Sequence, residues 1–289
     1  MTPQPEEVSD VEALADAMLS VIEEDVDQDQ ETKGVPQGLL SAVAVGQRLG
    51  IDFVHRYNRL EIDGALKAPA EPTLFVANHG FGGIFDLNVF AIFAAFDQLN
   101  LDRRVTILTH QIAWTLQVGP LIEQFGATPA SRGAALAAFE RGEHVLVLPG
   151  GDLDAFKPWD KRDEIVFEGR TGFARLAIDA GVPIMPIVTA GAGESAYVIS
   201  DGHRLARALR LDRMLRAKVL PVSVSLPWGL NVGAAGVLPY LPLPTKLLTA
   251  VMSPIRAAEG ETPVDLASRV EVAMQERLTD LALQRKASD

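Results

Sequence analysis

The chain has 289 residues, 48% of them hydrophobic, with no cysteine and a formal net charge of −12. Without cysteine it has no disulfide, thiolate metal site or thiol nucleophile, so covalent catalysis would need another residue. The charge is confined to one end, because residues 1–32 hold 11 Asp and Glu and no Lys or Arg, leaving 27 acidic against 26 basic residues in the rest; this disfavours nucleic acid, which calls for a basic stripe, and leaves an anionic surface permitted.

Residues 1–35 read as an acidic leader, partly disordered or a short helix on Val11, Leu14, Met18, Val21 and Ile22, and residues 36–289 as a single domain. An acidic start without an apolar signal core predicts residence in the cytoplasm. No run of 18 apolar residues occurs, which argues against a spanning helix. A mean hydropathy of +0.15 still leaves room for an apolar face that docks onto a bilayer.

Val54 to Ile62 reads as an early strand and Leu74 to Ala77 as the next, followed by an apolar helix over Leu87 to Phe96 that opens after Asp86. Then come a strand at Val105 to Thr109, a helix at Ser131 to Arg141, a strand at His144 to Leu148, a helix at Gly172 to Ala180 and a strand at Ile184 to Thr189. A last helix starts near Pro263, capped by Thr262, and runs to about Arg285. Short apolar runs alternating with helices imply an α/β domain, a mixed central sheet flanked by helices on both faces.

Three strand ends or turns stand out. In the first, the strand Leu74 to Ala77 stops at Asn78-His79, a Gly80-Phe81-Gly82-Gly83 turn and Asp86. A neutral imidazole can take a proton from a hydroxyl, and a carboxylate can fix its tautomer; a strand-end histidine beside a helix-capping aspartate is the alternative, and the two roles of Asp86 are compatible. In the second, Pro149-Gly150-Gly151 closes another buried strand and lets the backbone approach a ligand or simply turn tightly. In the third, Arg132 opens a helix behind Ser131, against the macrodipole, for an anionic contact or as a tolerated surface residue.

These segments, with Gly169 to Ala177 (carrying Arg170 and Arg175), Gly181 to Ile187 and Leu241 to Lys246, resemble in order the glycerolipid acyltransferase superfamily over about residues 50–260. The resemblance implies the glycerol-phosphate acyltransferase-like fold and an O-acyltransferase that moves a fatty acyl group from acyl-CoA or acyl carrier protein to a lipid hydroxyl. The acceptor classes it implies are a lysophospholipid, a glyceride or a long-chain alcohol. It makes His79 the general base and Asp86 its orienting acid, and puts Gly82, Gly83, Arg132, Pro149, Gly150, Gly151, Arg170 and Arg175 at the substrate. No cofactor or metal is implied; the partners are the acyl donor, the lipid acceptor and the inner face of the cell membrane.

Two departures from the family pattern are visible. Six residues separate His79 from Asp86 where the family has four, the strictly spaced position being Ile84, and Pro149-Gly150-Gly151 lacks the family's usual glutamate, which looks more like the diacylglycerol acyltransferase side. The alternatives are a catalytically silent lipid-binding protein of the same fold, or a thioester or ester hydrolase.

His203 to Lys218 carries Arg204, Arg207, Arg210, Arg213 and Arg216 among apolar residues, suiting an anionic bilayer or a surface helix packed on the core. Trp228 and Leu238 to Leu248 read as interfacial anchors or a buried crossing segment. Gly191 to Ala196 matches a dinucleotide fingerprint only loosely. No Gly-x-Ser-x-Gly elbow occurs. His55, His110, His144 and His203 have no metal-ligand spacing and read as structural or surface residues.

Overall fold

The computed structural model describes residues 37–64, 67–82, 86–109, 123, 126–208, 219–233 and 240–288; the acidic leader and Gly83 lie outside them. Met1–Gly50 and Ile51–Asp289 are separate compact units. The described part of the first is the start of helix α1 (Gln37–Arg56), whose last turns belong to the second.

The second unit is built on a seven-stranded sheet in the order β1-β10-β6-β2-β5-β3-β4, from β1 (Glu61–Asp63), β2 (Leu74–Ala77), β3 (Val105–Thr109), β4 (Ala127–Pro129), β5 (His144–Val147), β6 (Ile184–Ala190) and β10 (Leu248–Val251). Strand β2 lies in the middle, parallel to both β5 and β6, and β10 pairs antiparallel to β6. The mixed sheet expected from sequence is what the chain forms.

The period of two along each strand explains why these strands read as unbroken apolar runs. Leu74 and Val76 enter one core with Val145, Ile184 and Val188, while Phe75 and Ala77 enter the other with Leu146, Met185 and Ile187. Helix α2 (Leu87–Leu99) covers the second core. The first is covered by α3 (Arg132–Glu140), α5 (Gly172–Ala180) and α7 (Pro263–Ser288), which buries Leu266, Val270, Met274, Leu278 and Leu281 along one stripe. Each such fully buried aliphatic contributes about 1.5–3 kcal/mol, so the three central strands and the α7 stripe hold the scaffold beneath the site.

The early strand expected over Val54 to Ile62 is not formed: α1 continues to Arg56, Arg59 takes a left-handed turn at φ 49°, and only Glu61–Asp63 pairs, as an edge strand. Strands β4 and β10 were not expected. A second sheet of β7 (Tyr197–Ser200), β8 (Val222–Ser225) and β9 (Gly229–Val232) was not expected either. Helix α6 (His203–Ala208) is the described part of the basic segment.

Three polar features brace the ends of this scaffold. Thr262 Oγ1 accepts the Asp265 N–H at the start of α7, as a cap should. Glu194, in the turn after β6, accepts hydrogen bonds from Arg162, Arg285 and Thr245, tying α7 to that turn, and these donors hold its carboxyl below the ordinary carboxylate value despite burial. The turn that carries Glu194 thus braces the end of α7. His144 is fully buried; its Nδ1 accepts the Thr73 N–H at 3.1 Å, and Nε2 has no partner among the described residues.

Burial, aided by the Arg103 charge, lowers the His144 pKa below the ordinary histidine value of 6.5. The folded state therefore resists a proton that the unfolded chain accepts, so stability is complete above the unfolded value and falls as pH drops through it. Urea midpoints should fall between pH 7.5 and 5.5, and His144→Asn, whose amide oxygen can still accept from Thr73, should flatten that dependence. Equal slopes for the two proteins would remove His144 from the explanation.

Candidate active site

The carboxyl ends of β2, β5 and β6 lie side by side, because the three strands are parallel and adjacent. From β2 the chain passes to β3 on one flank, and it later enters β6 on the other. A crevice at such a reversal of strand order is where open α/β sheets bind ligands. Three of the segments singled out from sequence meet there: Asn78-His79 after β2, Pro149 to Gly151 after β5, and the Gly191 turn after β6.

Asn78 carries the ladder one step past the strand. Its side-chain amide donates to the Thr189 carbonyl at 3.0 Å and accepts the Thr189 N–H at 2.9 Å, imitating a backbone pair with β6. Its own carbonyl accepts from Asn88 Nδ2 at 2.6 Å. The strand end and the start of α2 are thereby clamped, and His79 is presented from a fixed base.

Asp86 uses its two oxygens for two tasks. Oδ1 accepts the Asn88 N–H at 2.9 Å, capping α2, while Oδ2 lies 3.1 Å from His79 Nδ1. The longer spacing in sequence does not separate the pair. Asp86 is buried and His79 keeps a side-chain exposure of 19%. A carboxylate on Nδ1 selects the tautomer with the proton there and leaves Nε2 with its lone pair. The Asp86 charge also reaches Tyr240: burial first, and that charge second, push the phenol above its usual range, so Tyr240 stays neutral.

A further acid was missed from sequence. Asp154, fully buried on the short helix α4 (Gly151–Ala155), accepts the His79 main-chain N–H on Oδ2 at 2.6 Å, and its Oδ1 accepts from Lys157 Nζ at 2.7 Å and the Val166 N–H at 3.2 Å. Lys157 is itself buried and also donates to the Glu164 carbonyl. In sequence Asp154 and Lys157 are an i,i+3 pair of the kind found on any helix surface, so their burial left no signal.

This acid also explains the paired glycines. A Cβ on Gly150 would sit 2.1 Å from the Asp154 Cβ, and one on Gly151, at φ +55°, would sit 2.6 Å from Arg170 Nη1. Arg170 donates to the Pro149 carbonyl at 2.7 Å. The close approach expected of this turn is therefore to Asp154 and Arg170 within the protein.

The remaining residues predicted at the site divide. Gly82 is packed against the Ala155 methyl, and its N–H donates to the Ala155 carbonyl at 2.9 Å, so that N–H is not open to an oxyanion. Arg132 donates through Nε and Nη2 to Asp179, an anionic partner inside the chain. Ser131 caps α3 as expected. Arg175 is exposed on α5.

Comparison with known proteins points to one enzyme class. Residues 59–190, which span β1 through β6, match the family model described as Acyltransferase. A chicken (Gallus gallus) protein named DGAT1/2-independent enzyme synthesizing storage lipids is 24% identical over 76% of this chain and 59% of its own length. Its cattle (Bos taurus) counterpart is 28% identical over 74% and 58%. The chain thus spans less than two thirds of the curated relatives it matches. In fold, the crystal structure of the 1-acyl-sn-glycerophosphate acyltransferase PlsC from Thermotoga maritima superposes with a TM-score of 0.52 at 13% identity, over 93% of this chain and 89% of that one. The family match thus lies over the segments that carry His79, Asp86 and the Pro149 turn, and over this stretch, 132 of 289 residues, the chain is similar to acyltransferases.

Proposed function

We propose that the protein is an O-acyltransferase that moves a fatty acyl group from acyl-CoA or acyl carrier protein to a lipid hydroxyl. The observation that carries this reading is the 3.1 Å contact of His79 Nδ1 with Asp86 at the mouth of the parallel strands. His79 Nε2 takes the proton of the acceptor hydroxyl as its oxygen attacks the thioester carbonyl, and Asp86 stabilises the imidazolium. The tetrahedral intermediate collapses with expulsion of the thiolate, which receives that proton. Ester and free thiol are the products, and no acyl-enzyme is needed.

Substrate contact in this reading falls to Gly82, to Gly83 and to the Pro149-Gly150-Gly151 turn. Arg175 supplies charge for a donor or head-group phosphate, Arg132 is held by Asp179, and Arg170 holds the turn in shape. The Pro149-Gly150-Gly151 form and the storage-lipid names of the relatives both favour a neutral glyceride or long-chain alcohol over a lysophospholipid as acceptor. No described helix is long and apolar enough to cross a membrane; we place the protein in the cytoplasm, at the inner face of the cell membrane.

The test supplies radiolabelled acyl-CoA, or acyl carrier protein, with a panel of glycerides, long-chain alcohols and lysophospholipids. Acylated acceptor is the expected product. Free fatty acid alone would make the protein a hydrolase, and no product with any acceptor would make it a silent lipid-binding protein.

A further inference from the structure

The small sheet β7-β8-β9 is turned inside out for a protein surface. An antiparallel sheet with one wet face normally alternates apolar inward with polar outward. Here Ser223 and Ser225 of the central strand point inward, and Ser223 Oγ is buried with no hydrogen-bond partner among the described residues. The outward positions are apolar: Tyr197 and Ile199 on β7, Val224 on β8, Leu230 and Val232 on β9. Leu230 and Val232 are 67% and 55% exposed.

The register makes this one surface. Tyr197 is paired with Val224 and Val224 with Leu230, while Val222 is paired with Val232 in the next row. Leu226 and Trp228, also exposed, extend the patch at the turn between β8 and β9. Contiguous apolar faces of this kind on soluble proteins mark interaction sites.

The charge beside the patch identifies the occupant. The connection from β7 to β8, residues 201–221, carries six Lys and Arg against two Asp, and the two arginines in its described helix, Arg204 and Arg207, are exposed. Apolar side chains with a tryptophan at one end, and two exposed arginines in the connection that joins the strands, match the layered chemistry of an anionic bilayer, which offers hydrocarbon, an interfacial zone suited to Trp, and phosphate head groups. A second copy of the chain fits less well. A two-fold contact through this face would bring the exposed Arg204 and Arg207 of both copies toward one interface.

We propose that the outward face of β7-β8-β9 is the surface by which this protein docks on an anionic lipid bilayer. The proposal gives the acyl-transfer reading a source for its acceptor, and rests on that reading only for its purpose. The opposite face of the same sheet reaches the candidate site: Val198 packs in a cluster with Phe81, Tyr240 and Phe156, and Phe81 meets Tyr240 edge to face at 5.1 Å. Phe81 follows His79 by two residues. One layer of sheet therefore separates the docked lipid from the turn that carries the histidine.

The full chain is sedimented with vesicles of phosphatidylcholine alone or mixed with phosphatidylglycerol. Binding to the mixed vesicles is expected, falling about tenfold for Leu230→Asp/Val232→Asp and on omission of the anionic lipid. Tryptophan emission should shift to the blue with the anionic vesicles, and the shift should shrink in Trp228→Phe, a variant that keeps an apolar ring. No binding by the parent, equal binding by the double variant, or an unaltered shift in Trp228→Phe would overturn the proposal. So would a dimer that the double variant dissolves without any vesicle binding by the parent. His79→Ala should sediment like the parent; vesicle binding without acyl transfer to any acceptor would sink the catalytic reading and leave the docking face standing.

Discussion

Replacing His79 with alanine should lower acyl transfer by about 10²–10⁴-fold, the usual contribution of a positioned general base, with little change in thermal midpoint because the ring is partly exposed and its main-chain bond to Asp154 survives. Asp86→Asn is the sharper probe. The amide can still cap α2, but its NH₂ can donate to His79 Nδ1 and so favour the tautomer with the proton on Nε2, where the base must be free. A loss approaching that of His79→Ala, with α2 intact by circular dichroism, is the expected result. Near-parent turnover in Asp86→Asn would show that Asp86 is a cap alone.

The second large effect belongs to the buried pair beneath the histidine. Asp154→Ala leaves Lys157 buried without its anion, a change that costs about 3–5 kcal/mol, and it frees the His79 N–H. Lys157→Met in the same chain removes the stranded charge, so the double variant should regain much of the lost stability. Activity should not return with it, because the His79 main chain has still lost its anchor. Urea midpoints and turnover measured on parent, single and double variants separate these effects. A double variant restored in both would make Asp154 a packing residue with no part in positioning the histidine.

The pair also shows where sequence reading stops. His79 and Asp86 were identifiable as partners because a strand end, a glycine turn and a lone nearby carboxylate are local signals, readable within about a dozen residues. Their contact across six intervening residues was an expectation that the coordinates meet. Asp154 gives no such signal, since its value comes from burial beneath Gly150 and from a bond to a residue 75 positions away.

Glycines show the same boundary. That Gly150 and Gly151 allow close approach was legible; that the approach is to Asp154 and Arg170 was not. Of the two readings open for Arg132, an anionic contact or a tolerated surface residue, the contact is the one seen, and its anion is Asp179 of the same chain. The strand expected over Val54 to Ile62 failed because apolar residues at the end of a helix and in the loop after it carry no period long enough to tell helix from strand.

By itself, the sequence determined the local elements whose pattern is self-sufficient. The strand Val105–Thr109 and the helix Gly172–Ala180 form with the bounds their apolar spacing implies, and the central strand β2, apolar at every position, announces a sheet covered on both faces. Tertiary structure decided what depends on partners distant in the chain: the order of the strands, the burial of Asp154 and Lys157, and the outward turn of the apolar side of β7-β8-β9. The physical reason is that periodicity records which side chains share a face, whereas the environment of that face is fixed by whichever elements pack against it, or leave it open.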